Sequence, residues 1–354
     1  MDLDLSADGA SLTAALVDFS SVSGDEKALA DAIERALEPL THLEVTRTGH
    51  TIVARTTLGR AERVVLAGHI DTVPHAANFP SSFNAERTVL SGVGTTDMKS
   101  GVAVQLKLAQ SLTAPNRDVT YVFYECEEIQ AERNGLFLLS RSAPELLRGD
   151  FAILLEGSEG DVEGGCQGTL RAAITVPGLR AHTARSWMGK NAIHAAGEIL
   201  DLLRSWTPRT PDVDGLEYHE GLNAVAISGG VAGNVVPDEC VVTVNYRYAP
   251  DRSAADAEAY IRELFADWPV EILDNAPGAR PGLTIPVAAS FLAAVGGTAR
   301  PKLGWTDVAR FAELGIPAVN YGPGDPAIAH TPGEQVEVAL ITQCEDRLRS
   351  WLTA

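Results

Sequence analysis

The sequence predicts an α/β fold: a mixed, mostly parallel sheet carrying helices, interrupted by a smaller α+β unit. Three observations predict it. The apolar runs at 63–67, Asp118–Tyr124 and 151–155 are too continuous for half-exposed strands and read as strands buried on both faces. Near Gly168 the texture changes, and residues 170–176 alternate with a period of two. Past the Pro- and Gly-containing stretch Asn275-Ala276-Pro277-Gly278 the α/β texture returns. The expected division is a discontinuous larger domain, residues 1–168 and 279–354, with an inserted domain at 169–278.

The bulk numbers narrow the class of protein. With 354 residues, 45% of them apolar and 21% charged, the chain can bury a large core. A net charge of −19 opposes binding to nucleic acid or to an anionic membrane. The start, Met1-Asp2-Leu3-Asp4-Leu5, has neither the basic nor the long apolar region of a signal peptide, and no apolar run has membrane-helix length. Cys126, Cys166, Cys240 and Cys344 show no C-x-x-C spacing, so reduced thiols of a cytoplasmic protein are expected.

In chain order, residues 12–19 and Lys27–Leu37 have helical apolar spacing, and the turn Ser21-Val22-Ser23-Gly24-Asp25-Glu26 can cap the second helix. Residues 44–47 and 51–56 read as a hairpin through Gly49. The buried strand at 63–67 follows. A Pro-, Ser- and Asn-containing loop then leads through Gly92-Val93-Gly94-Thr95-Thr96-Asp97-Met98-Lys99-Ser100-Gly101 into a helix at 102–112; its spacing fits neither a dinucleotide-binding nor a Walker motif. In the inserted domain, strands at 170–176, 222–227, 240–246 and 270–273 alternate with helices at 191–206 and 254–265. This β-α-β-β-α-β order predicts an antiparallel, ferredoxin-like sheet. A helix at 287–295, a strand at 318–321 and a helix at 336–351 complete the larger domain.

The chemistry sits where these strands end. His69 and Asp71 follow the strand at 63–67, and a spacing of two puts both on one face. A carboxylate beside an imidazole is how a metal-binding histidine is held in one tautomer. Alone, the pair reads equally well as a surface pair closing a strand. Two more strands end in carboxylates, however: Glu125-Cys126-Glu127-Glu128 and Glu156. Ligands of open α/β sheets bind outside the carboxyl ends of the strands. The three strand ends together point to a metal site of oxygen and imidazole ligands.

With His330 in Ile328-Ala329-His330-Thr331-Pro332, these residues resemble the M20 family of co-catalytic zinc amidohydrolases and peptidases over essentially the whole chain. The runs Gly304-Trp305-Thr306-Asp307-Val308-Ala309-Arg310-Phe311 and Gly322-Pro323-Gly324-Asp325-Pro326 are similar to the family's actinobacterial branch that removes succinate from an acylated diamino acid. The resemblance implies a zinc-peptidase catalytic domain with an inserted lid and dimerisation domain. It implies His69, Asp97, Glu128, Glu156 and His330 as metal ligands. Asp97 would be the bridge, His69 and Glu156 would complete one site, and Glu128 and His330 the other. Two zinc ions per subunit are implied, with cobalt as a substitute. Asp71 would fix His69, Glu127 would be the general base, and the peptide after Asp97 would be cis. In the inserted domain His182 matches a lid histidine that reaches the partner subunit's site, Asn234 and Thr306 match substrate contacts, and Arg247 matches an arginine for the substrate carboxylate. The expected partners are a small anionic acylated amino acid and a second copy of the chain.

The expected reaction is hydrolysis of N-succinyl-LL-2,6-diaminopimelate in lysine and diaminopimelate synthesis. N-acetylornithine deacetylation, dipeptide hydrolysis and a non-catalytic dimeric binding role are the alternatives. An unligated carboxylate at Glu127 argues against the last. The chain departs from the proteobacterial pattern at Cys166-Gln167-Gly168-Thr169, where one substrate-side arginine is absent, and from several family members at Gly333, where they carry Asn. Arg171, Arg185 and Arg310 are candidates to compensate. His75, His194 and His219 lack motif support, and Glu125 reads as a strand-end carboxylate.

Overall fold

The structure is a computed structural model and describes residues 2–296 and 298–354. The chain divides into two compact units, one of Met1–Gly165, Pro281–Arg300 and Asp307–Ala354, the other of Cys166–Arg280 and Pro301–Thr306.

The first unit is built on a mixed sheet. Its strands are β1 (Glu44–Thr48), β2 (Thr51–Arg55), β3 (Arg63–His69), β4 (Asp118–Tyr124), β5 (Phe151–Leu154) and β6 (Val162–Gly164), joined later in the chain by β11 (Ala299–Pro301) and β12 (Ala318–Asn320). Their order is β1-β2-β4-β3-β5-β12-β6-β11. The centre, β4-β3-β5-β12, is parallel, whereas β1, β2 and β6 pair antiparallel. β4 is buried along its whole length, and β3 is buried after Arg63, which accounts for their uninterrupted apolar runs. The hairpin β1–β2 turns at Gly49, whose φ of +63° suits a residue without Cβ.

Helices α1 (Gly9–Val17), α2 (Lys27–Leu37), α3 (Ser100–Ser111), α4 (Gly135–Ser142), α8 (Pro286–Val295), α9 (Val308–Glu313) and α10 (Val338–Thr353) belong to this unit. Local chemistry fixes their ends. The Asp8 side chain accepts the Ser11 N–H at the start of α1, and α8 begins on Pro286 and stops at Gly296, whose φ is +68°. α2 buries Leu29, Ala30, Ile33 and Leu37, the stripe that a period of 3.6 lays on one face. Ser100–Leu106 of α3 is buried all round.

The second unit holds β7 (Gly168–Pro177), β8 (Gly221–Gly229), β9 (Glu239–Tyr248) and β10 (Val270–Ala276), with α5 (Ala192–Ala195), α6 (Gly197–Ser205) and α7 (Ala254–Leu264). The sheet is antiparallel in the order β8-β9-β7-β10, the ferredoxin-like arrangement. Leu170, Ala172, Ile174 and Val176 of β7 and Val242, Val244, Tyr246 and Tyr248 of β9 face Ile199, Ala257, Ile261 and Phe265. Alternate residues of one face are buried, as the period of two requires.

Three local expectations change. The helix expected at 191–206 is two helices meeting at Ala196. The Asn191 side chain caps the first, and the Ile199 N–H reaches back only three residues to the Ala196 carbonyl. Residues Gln335–Glu337 are a strand, so the last helix starts at Val338. The turn before α2 does not cap it, because the side chains of Ser21, Ser23 and Glu26 point to other loops.

Candidate active site

The parallel strands of the first unit end together, and the ligand-type residues lie just beyond. β3 ends on His69, β4 leads into Glu125-Cys126-Glu127-Glu128, and β5 leads into Leu155-Glu156. Asp97 lies in the segment entering α3, where the Asp97–Met98 peptide is cis. His330 comes from the loop after β12 and has a φ of +61°.

These five residues converge on the Asp97 carboxylate. His69 Nε2 lies 2.8 Å from Asp97 Oδ1, and His330 Nε2 lies 3.1 Å from Asp97 Oδ2. Each histidine therefore faces its own oxygen of one carboxylate. Glu156 Oε1 stands 4.0 Å from His69 Nε2, and Glu128 Oε1 stands 2.9 Å from His330 Nε2. Two half-sites result: His69, Glu156 and one Asp97 oxygen, then His330, Glu128 and the other. The donor set of two imidazoles and three carboxylates fits a pair of divalent cations of the zinc type. The tautomer is fixed as well. His69 Nδ1 lies 3.1 Å from the Asp71 backbone oxygen, an acceptor only, so Nδ1 carries a proton and Nε2 is the nitrogen that a cation would take in place of its hydrogen bond to Asp97.

Electrostatics follow from this crowding. His330 is pushed up to about 10 by its contacts with Asp97 and Glu128. Burial opposes charge on His69, but Asp71 and Asp97 outweigh it and raise its pKa. Burial would likewise raise Asp97, but hydrogen bonds from His330 and His69 hold it low. Glu127 is half-buried, and its carboxylate makes no hydrogen bond or ion pair among the described residues. Burial, followed by the charges of Asp307, Glu156 and Glu128, holds its carboxyl well above the usual carboxylate range.

Asp71 touches both halves of this arrangement. Besides facing His69, it accepts the Glu127 N–H at 3.0 Å on Oδ1 and the Glu128 N–H at 3.2 Å on Oδ2. Ser23 Oγ donates to Asp71 Oδ2 at 2.7 Å. Glu334 Oε1 accepts the N–H groups of Thr96 and Asp97 at 3.0 and 3.2 Å. Buried Asp307 accepts Asn134 Nδ2 at 2.7 Å. The sequence reading gave Ser23, Glu26, Glu334, Asn134 and Asp307 no role in the site. Their only signal was a polar residue inside or beside a motif.

The second unit holds the other expected residues. His182 pairs with Val235 in a short antiparallel ladder, and the Thr183 N–H donates to the Asn234 carbonyl at 3.0 Å, so His182 and Asn234 are neighbours on one exposed loop pair. Arg247 is half-buried on β9, donates from Nε to Asn245 Oδ1 at 3.2 Å, and makes no ion pair among the described residues. Thr306 is buried and accepts the Cys166 S–H on its carbonyl. Of the residues considered as compensating arginines, Arg171 is paired with Asp274, and Arg310 is buried over the Phe137 ring.

A parallel sheet whose strand ends gather two histidines around a shared carboxylate, with a free carboxylate beside them, defines a metallohydrolase-type centre. The chain belongs to peptidase family M20/M25/M40, whose sequence pattern matches residues 65–354. It is 52% identical over 353 residues to a Mycobacterium tuberculosis protein named as a succinyl-diaminopimelate desuccinylase, with 99% of each chain covered. It is 44% identical over 364 residues to the succinyl-diaminopimelate desuccinylase of Corynebacterium glutamicum, covering 99% of this chain and 98% of that one. Among solved structures, a tripeptidase of Staphylococcus aureus shares the fold with a TM-score of 0.79 at 19% identity, over 99% of this chain and 98% of that one. A dinuclear metal-binding peptidase of the M20 family from Bacillus subtilis does so with a TM-score of 0.71 at 17% identity, over 97% and 96%.

Proposed function

We propose that this protein is a di-zinc amidohydrolase that cleaves N-succinyl-LL-2,6-diaminopimelate to succinate and LL-2,6-diaminopimelate. The observation that carries the reading is the Asp97 carboxylate, with a histidine on each oxygen, and Glu127 close enough to feel the charges of His69, Glu156 and Glu128 without a hydrogen bond on its carboxylate among the described residues. High identity to named desuccinylases over the whole chain supports the choice of substrate.

Bound divalent cations, zinc or in its place cobalt, would supply Lewis acidity at the scissile carbonyl and a water acidic enough to attack near neutral pH. His69, Asp97, Glu128, Glu156 and His330 would hold them. Asp71 keeps His69 in the tautomer that offers Nε2. Glu127 takes the proton of the attacking water and delivers it to the departing amine. Burial and neighbouring carboxylates raise its pKa, and bound cations would offset those charges and make the carboxylate available as a base.

In the second unit, Arg247 is the proposed partner of a substrate carboxylate. A half-buried guanidinium with no carboxylate paired to it among the described residues suits a bidentate fork. Asn234 and Thr306 are the further proposed substrate contacts, and His182 is the proposed lid donor to the developing oxyanion, acting across a homodimer. β8 supports that dimer. It is an edge strand, and Val225 and Ile227 on it are more than half exposed, which invites strand pairing. Among the described residues no helix is long and apolar enough to cross a membrane, and four free buried cysteines suit a reducing, cytoplasmic setting.

The test is amine release from N-succinyl-diaminopimelate and from N-acetylornithine, with and without chelator, for the wild type and Glu127→Gln. The reading predicts preference for the succinyl substrate, loss of activity with chelator, and a kcat about 10²–10⁴ lower in folded, metal-loaded Glu127→Gln. Faster release from N-acetylornithine would favour a deacetylase. Unchanged turnover in the variant would remove Glu127 from its role.

A further inference from the structure

The turn Cys126-Glu127-Glu128 presents three consecutive backbone N–H groups to two buried carboxylates. Cys126 N–H donates to Glu26 Oε1 at 3.2 Å, Glu127 N–H to Asp71 Oδ1 at 3.0 Å, and Glu128 N–H to Asp71 Oδ2 at 3.2 Å. Amides converge on an anion in this way when the chain takes a left-handed step. Cys126 takes that step, with a φ of +58°. A residue with a Cβ enters that region reluctantly, so the conformation needs a partner that rewards it.

Glu26 is placed to be that partner. Its Oε1 accepts the Gly24 N–H at 2.8 Å, the Cys126 N–H, and the Cys126 S–H at 3.3 Å. The side chain is fully buried, forms no ion pair among the described residues, and leaves Oε2 without a hydrogen bond there. A buried carboxylate without a cation is costly to keep. A device that violates the local rule beside a reactive site is where a functional constraint is expected. Glu26, Glu125 and Cys126 lie close enough to suggest a metal site of their own. The thiol argues otherwise: it donates to Glu26, and burial and Glu26 push it up to about 12, whereas a ligating cysteine must give up its proton.

We propose that Glu26 is a positioning residue for the reaction: its carboxylate holds Cys126 in the left-handed turn that aims Glu127 and Glu128 at the metal cluster. This rests on the assignment of Glu127 as base and Glu128 as ligand. The same loop serves the other clamp. Ser23 hydrogen-bonds Asp71, and Val22 bridges Thr72, so residues 22–26 brace both carboxylates behind the catalytic pair.

The test compares Glu26→Met, which keeps length and apolar bulk without an acceptor, with Glu26→Gln, which keeps a carbonyl oxygen. Four quantities are read: kcat, KM for N-succinyl-diaminopimelate, zinc affinity by chelator competition, and melting temperature. In Glu26→Met, kcat falls by about tenfold to a hundredfold at saturating zinc while KM changes little, and zinc affinity falls by about tenfold to a hundredfold. Glu26→Gln stays within about threefold of wild type on both, because a neutral acceptor still satisfies the turn. Adding Cys126→Gly to Glu26→Met removes the Cβ penalty and restores most of both losses. Wild-type kcat and zinc affinity in Glu26→Met, or losses that Cys126→Gly leaves untouched, would overturn the proposal. Should Glu26→Met fail to fold, Cys126→Val asks the same question with Glu26 intact. A β-branched residue resists the left-handed region, so kcat and zinc affinity should fall together, and unchanged values would overturn the proposal. If the wild type binds zinc yet releases no amine, the functional assignment fails, and the zinc-affinity comparison still decides the role of Glu26.

Discussion

Gly101→Ala is the substitution for which the structure sets two opposing effects most directly against each other. Gly101 lies in the first turn of α3, where alanine would favour the helix by about 1 kcal/mol. A Cβ at this position, however, would overlap the Leu155 carbonyl oxygen and stand 2.8 Å from Leu155 Cβ and 2.9 Å from its carbonyl carbon. Ordinary contact begins at 3.4 Å, and the overlap with the Leu155 carbonyl oxygen is the worst of the three, so the end of β5 must retreat by more than about 1 Å in a close-packed interior. It cannot retreat freely, because a Cβ at Gly322 would meet the Glu156 carbonyl from elsewhere, which shows how tightly Leu155 and Glu156 are enclosed. Overpacking of this kind costs about 1–3 kcal/mol, and backbone is the hardest thing to move. The clash therefore wins by about 2 kcal/mol at the upper end, a fall in Tm of about 4–8 °C for a domain of this size. Glu156 follows Leu155 directly, so zinc affinity and kcat should fall with it; a displacement of about 1 Å can cost about a hundredfold. Gly197→Ala is the internal control: it starts α6, a Cβ there meets nothing within 4 Å, and it should be neutral or stabilising. The assay is thermal melting with chelator-competition zinc binding and amine release. A Gly101→Ala protein that melts at or above the wild-type temperature with full turnover would refute the reasoning.

Three further outcomes follow from the same geometry. Asp118 accepts Thr56 Oγ1 and the Leu58 and Arg60 N–H groups, and its pKa is lowered below 3.8 because these bonds outweigh burial. Its stabilisation is present above 3.8 and is lost as pH falls through the lower folded value, so Asp118→Asn should cost about 2–3 kcal/mol at pH 7 and flatten the acid limb of urea midpoints below 3.8. Parallel acid limbs would contradict this. Glu220 is buried and bonds Arg209, Tyr246 Oη and the Ala249 N–H, so Glu220→Ala should destabilise the second unit by about 3–5 kcal/mol, read by denaturant unfolding. Asp97 and Glu128 push His330 up to about 10, so zinc uptake at pH 7 should release at least one proton and weaken as pH falls. Calorimetry in two buffers of different ionisation enthalpy measures this, and zero proton release would count against ligation through His330.

Much of the fold was legible because burial leaves a periodic mark. The uninterrupted runs of β3 and β4 and the alternation of β7 follow directly from strands buried on two faces or on one. α4 was missed because Gly135–Ser142 is short and follows a polar loop, and its start depends on the Asn134 side chain capping Phe137. The small sheet of Ser82–Phe83, Val89–Ser91 and Gln335–Glu337 was missed because strands of two or three residues carry no measurable period. At the site, the ligand-type residues stood out because carboxylates and histidines at strand ends are chemically conspicuous. The groups behind them did not. Ser21, Ser23 and Glu26 had the composition of a helix cap, and only three-dimensional contact shows them serving the loops after β3 and β4 instead.

The sharing of Asp97 between His69 and His330 has a consequence for how the molecule matures. The contributing positions stretch from 69 to 330, and the second unit's main segment is threaded between Glu156 and His330. A fragment ending before residue 330 can complete only one half of the pair. With the proposed ligands, loading of both ions would report on the integrity of the polypeptide across that whole span. If the proposed ligands hold, proteolytic nicking that releases a piece carrying His330 should strip one of the two cations from the remainder before it melts.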